Sequence, residues 1–139
     1  MKKINPLLKD YIEKNILPEY KKNESGHGIE HIQYVTKRCF KFAEQFPNID
    51  LDMIYTIASF HDIAHHIDKD NHETLSAKYF YDDKNMKKFF DSKQRKVIKE
   101  AIDDLKERKK AIDNEAAGIL STFKVVSPKL ETDKLYSEL

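Results

Sequence analysis

The chain has 139 residues, enough for one domain and for a real core without disulfide or metal staples. Its 25 Lys and Arg against 24 Asp and Glu leave a net charge of +1, which argues against a strongly basic nucleic-acid binder. With 40% hydrophobic and 35% charged residues it falls outside the disordered range, and 3 Gly and 4 Pro are too few for the many tight turns of a sandwich or barrel.

The hydrophobic period is helical nearly throughout. Ile4, Leu7, Leu8, Tyr11, Ile12 and Ile16 mark a first helix, which Pro18 breaks or bends. Residues 24–28, with Gly26 and Gly28, read as a loop. A second helix carries Ile29, Ile32, Val35, Cys39, Phe42, Ala43 and Phe46 and ends at Pro47. Asp50 is placed to cap a third, with Met53, Ile54, Ile57, Ala58 and Phe60 inside. That helix runs out toward the polar segment 68–71. A fourth begins near His72, with Leu75, Ala77, Tyr79 and Phe80, and a short piece follows around Met86–Phe90. Ser92 is placed to cap a long helix with Val97, Ile98, Ala101, Ile102 and Leu105 on one face. The last stripe is Ile112, Ala116, Ile119, Leu120 and Phe123, with Pro128 expected to stop it. No segment alternates as a strand does. The expectation is an all-α single domain over residues 1–128, a multi-helix bundle with short connections, followed by a polar tail over 129–139.

The remaining bounds concern compartment and partners. One cysteine, Cys39, allows no intramolecular disulfide and no Cys-rich zinc site, which fits a reducing cytosol. The N-terminus lacks the apolar stretch of a signal peptide, and no run approaches the ~18 apolar residues of a membrane span. A cytoplasmic protein without a membrane partner is expected. Only three basic residues are Arg (Arg38, Arg95, Arg108), so bidentate phosphate clamps are few.

All 6 His lie between His27 and His72. The pair His61-Asp62 directly follows the apolar run Ile54–Phe60, where a carboxylate is costly to bury without a partner. His61 and His65 are spaced i, i+4, the spacing of one helix face. His31 lies on the preceding helix among apolar positions, and packing of the two helices would bring it beside His61 and Asp62. Gly26-His27-Gly28 precedes His31 at a helix start, where free backbone N–H groups can meet an anion. Imidazole with carboxylate suits Mn, Fe, Co, Ni or Zn, and less clearly Mg. A purely structural bundle would instead scatter the six His.

The segments GHGIEHIQYV, ASFHDIAHH and HETLSAKYF, in this order and spacing, resemble the HD-domain superfamily of metal-dependent phosphohydrolases over about Gly26 to Asp104. The resemblance implies an HD-type helical bundle and a divalent metal held by His31, His61 and Asp62. It places Asp62 and His65 in catalysis, and His27, His66, Lys69 and His72 around the mouth of the site, toward phosphate. It implies attack of a metal-activated water on a nucleotide or other small phosphate ester, by a phosphomonoesterase or phosphodiesterase. Homo-oligomerisation is left open, and nothing points to duplex DNA or RNA.

The pattern departs from the family at its end. Gly28 stands where many members carry Asp. The family's late Asp ligand is expected after Ala117-Gly118-Ile119-Leu120-Ser121, yet the chain continues Thr122-Phe123-Lys124, with Lys124 about where the Asp should be. Asp103 or Asp104 is a possible substitute. The alternative function is therefore a catalytically impaired HD-fold module that binds a metal or nucleotide without hydrolysing it.

Overall fold

The computed structural model describes residues 3–108 and 114–138. Among these there are six α-helices and no strand, so the all-α expectation holds. The helices are α1 (Pro6–Tyr11), α2 (Ile29–Ala43), α3 (Leu51–Phe60), α4 (His72–Asp82), α5 (Ser92–Arg108) and α6 (Glu115–Glu138).

Helix α3 is the axis of the bundle. Every residue from Met53 to Phe60 is buried, as expected of a helix that is apolar on all sides. Helix α2 packs on α3 and α6, α4 packs on α5, and α5 and α6 pack on each other and on α3. Asp50 caps α3, its Oδ1 accepting from the Met53 N–H at 3.2 Å. Into this core go Ile32, Val35 and Cys39 of α2, Ile98, Ala101 and Ile102 of α5, and Ile119, Leu120 and Phe123 of α6. Burial raises the Cys39 thiol to about 12, and the nearby Glu115 charge adds to the shift, so this cysteine packs rather than reacts.

The ends of several elements differ from the sequence expectation. The first apolar run is α1 followed by a π-helical turn, Ile12–Ile16, and a 3₁₀ segment, Leu17–Lys22, with Pro18 in its first turn. Helix α3 stops at Phe60, and residues 61–67 wind on as tight turns with i+3 bonds, such as His65 N–H to Asp62 O at 3.1 Å. The buried face of α4 is His72, Glu73, Ser76, Ala77 and Phe80, and Tyr79 is exposed. Asp91, not Ser92, caps α5: its carboxylate accepts from the Gln94 N–H at 2.7 Å, while Gln94 Oε1 accepts from the Asp91 N–H at 3.0 Å. This reciprocal pair satisfies two donors at once, which a lone serine does not. Helix α6 continues past Pro128 to Glu138. A proline deletes one i→i−4 bond and need not end a helix. Ile112, expected in the last stripe, lies outside the described residues.

Because Ile57 is fully buried at the centre of α3, Ile57→Ala should lower the unfolding free energy by about 2–5 kcal/mol in urea denaturation. Leu7→Ala, at a position 72% exposed, should change it by less than about 0.5 kcal/mol. Equal effects would contradict a bundle built around α3.

Candidate metal centre

The site forms where the end of α3 meets the starts of α2, α4 and α6. His61 and Asp62 are fully buried in the turn after α3. His61 is oriented by its own backbone: Nδ1 lies 2.7 Å from Ala58 O. A carbonyl only accepts, so Nδ1 carries the proton and Nε2 faces the site. This arrangement fixes the ring of a metal-binding imidazole.

A second carboxylate reaches the same place. Glu115 Oε2 is 2.9 Å from His61 Nε2, and its Oε1 and Oε2 are 3.0 and 3.1 Å from His31 Nε2. Glu115 is the first residue of α6, whose preceding Asn114 accepts from the Ala117 N–H at 3.1 Å. A carboxylate in the first turn is stabilised by the helix dipole. Ligand atoms of His31, Asp62 and Glu115 all lie within 4.8 Å of one another, so these three side chains can hold a metal ion. The donor set fits such an ion: imidazole Nε2 atoms face carboxylate oxygens across short gaps, and either a proton or a cation must stand between two such lone pairs.

Asp62 has further partners. His27 Nδ1 is 3.0 Å from its Oδ2, and His72 Nε2 is 3.0 Å from its Oδ1 and also 3.0 Å from Glu73 Oε2. His72 Nδ1 is held 2.8 Å from Lys69 O. Burial disfavours charge on His72, but the bonds to Asp62 and Glu73 outweigh it and raise its pKa to about 9. His65 stacks on His27, with ring centres 3.6 Å apart, and lies 4.9 Å from the His72 ring. Desolvation, followed by the proximity of His27 and His72, lowers its pKa below the usual histidine value. Its Nδ1 is buried without a hydrogen-bond partner.

Of the residues expected from sequence, His27, His31, His61, Asp62, His65 and His72 therefore converge. Two stand apart from the cluster. His66 is exposed and bonds Asn23 at 2.9 Å, and Lys69 pairs with Glu24 at 2.5 Å across the outer loops. Lys124 is not in the site: its Nζ lies 4.0 Å over the Phe46 ring. Nor does Asp103 substitute, since its carboxylate accepts from Thr74 at 2.7 Å on the outer face of α4 and α5.

Glu115 and Glu73 escaped the sequence reading. A signal for Glu115 was present: it continues the line Ile119, Thr122 and Val126 at i+4, i+7 and i+11, all buried, so an acid stands on the apolar face of α6 directly after the capping Asn114. Glu73 carried no comparable mark beyond following His72. Compared with protein-family models, curated proteins and solved structures, the chain matches none.

Purified protein should bind one Co(II) or Mn(II) ion, and saturation at 100 times Kd should stabilise it by about 2.7 kcal/mol in a thermal melt. Glu115→Gln and His31→Ala should weaken binding at least tenfold, and Lys124→Ala should leave it unchanged. Equal affinity in all three variants would place the ion elsewhere.

Proposed function

We propose that the chain is a metal-dependent phosphohydrolase of the HD-domain kind, acting on a nucleotide or other small phosphate ester. The observation that carries this reading is Glu115, a late carboxylate that meets both His31 and His61. It supplies from α6 the acidic ligand that the sequence pattern lacked around Lys124.

In this reading His31, His61, Asp62 and Glu115 hold the ion. Two imidazoles with two carboxylates favour Mn, Fe, Co, Ni or Zn over Mg. When bound, such an ion offsets phosphoryl charge and lowers the pKa of a water toward neutrality. The chain's own residues do the rest. His27 and His72 flank the two oxygens of Asp62 and offset its burial. His72 acts through Asp62 and Glu73 rather than on phosphate. His65, whose pKa desolvation lowers from the usual histidine value, stands beside His27 and His72 as the proton-transfer group of this reading. His27 lies within the cluster beside Asp62, while Lys69 and His66 stand outside it.

The alternative, a module that binds a metal or nucleotide without turnover, drew its support from a missing late carboxylate. Glu115 weighs against it.

A panel of nucleotides and generic phosphate esters, assayed with Mn(II) or Co(II), tests the reading. Turnover should disappear with chelator and return with metal. His65→Ala should lower kcat by about 10²–10⁴-fold with the fold intact by circular dichroism. Stoichiometric metal binding without turnover on any substrate would move the assignment to the binding module.

A further inference from the structure

Asp62 is held from behind as well as from its carboxylate side. Its N–H reaches the Tyr20 hydroxyl at 3.3 Å, and that hydroxyl donates to Ser59 O at 2.6 Å. Its carbonyl accepts from Asn23 Nδ2 at 2.8 Å. Tyr20 lies in the 3₁₀ segment Leu17–Lys22 and Asn23 is its C-cap, so one short stretch grips the backbone on both sides of the Asp62 side chain.

Asn23 does more than this. Nδ2 also donates to His27 O at 2.9 Å, while Oδ1 accepts from the His66 N–H at 2.9 Å and faces His66 Nδ1 at 2.9 Å. Three of these four partners are backbone groups of fixed character: two carbonyls and one N–H. Rotating the amide by half a turn would set oxygen against two carbonyls and NH₂ against an N–H, so the orientation is determined. Both donors and both acceptor positions are then filled. Because Oδ1 can only accept, His66 must carry its proton on Nδ1.

We propose that Asn23 is a positioning residue of the metal centre, tying the His27 loop to the Asp62–His66 turn and fixing His66 as the Nδ1–H tautomer. Neither consequence needs Asn23 to touch metal or substrate. The first rests on the reading of Asp62 as a ligand; the second does not.

Nitrogen NMR of the metal-free protein at about pH 8, above the usual histidine range, reads the tautomer directly. Wild-type His66 should be protonated at Nδ1, and Asn23→Ala should return it to Nε2–H, the form a free side chain favours. Asn23→Asp keeps an acceptor for His66 but has no donors for the two carbonyls, so it should retain Nδ1–H. Co(II) affinity should fall in both variants by about 10–100-fold, the effect of losing an outer partner of a ligand. Tyr20→Phe should lower Co(II) affinity without changing the His66 tautomer, and Asn23→Asp carries the affinity test if Asn23→Ala does not fold. Wild-type His66 protonated at Nε2, or Co(II) affinity unchanged in Asn23→Ala and Asn23→Asp, would overturn the proposal. If the wild type binds no Co(II) while His66 is Nδ1–H and responds to Asn23, the metal reading fails and the tautomer assignment stands.

Discussion

A fully buried carboxylate, Asp62, organises this molecule. Removing such a charge from water costs several kcal/mol unless partners offset it. Its partners come from three directions: His27 from the loop before α2, His72 from the first turn of α4, and the Tyr20–Asn23 stretch from behind. These contacts add to the apolar packing of Tyr20, Ala77 and Phe80, which already seats two of the three segments. The core sets α3 against α2, α5 and α6; the Asp62 network sets how the loops close over the end of α3.

The same logic explains why the site lies at helix starts. His72 opens α4 and Glu115 opens α6, while the segment with His27 leads directly into α2. A helix N-terminus carries free N–H groups and partial positive charge, which favours a carboxylate but not a cation, so His72, its pKa raised to about 9, is held at the start of α4 by Asp62 and Glu73. Glu115 gains from that partial charge at the N-terminus of α6. Its sharing between His31 and His61 then links α2, α3 and α6, the three elements whose apolar faces already meet.

How much of this was legible in sequence depended on the range of the signal. Most helical stripes and the Asp50 cap are local and read correctly, whereas the α4 stripe misplaced Tyr79, which is exposed. His31, His61 and Asp62 were visible because polar groups interrupted apolar runs. The cap of α5 was displaced by one residue because Ser92 and Asp91 are both good caps, and only the Gln94 partner distinguishes them. Pro128 misled because a proline's local penalty says nothing of what lies on either side of it. Glu115 and Asn23 were missed for a different reason. Their partners lie 84 and 39 residues away in sequence (His31 and Asp62), so even the acid visible on the apolar line of α6 did not reveal what it would meet.

The choice of Glu over Asp at position 115 follows from geometry. The α6 backbone begins at Glu115, immediately before the packed stripe of Ala116, Ile119 and Leu120, so its distance from α2 and α3 is set by those buried contacts. From that fixed start, one oxygen must reach His61 at the end of α3 while both approach His31 on α2. On an unmoved backbone an Asp falls short by a methylene and loses one of the two imidazoles. Moving α6 inward to compensate would overpack the stripe that holds it, typically at a cost of about 1–3 kcal/mol. The length of this one side chain is therefore matched to the spacing of the core beneath it, and the site and the bundle constrain each other through Glu115.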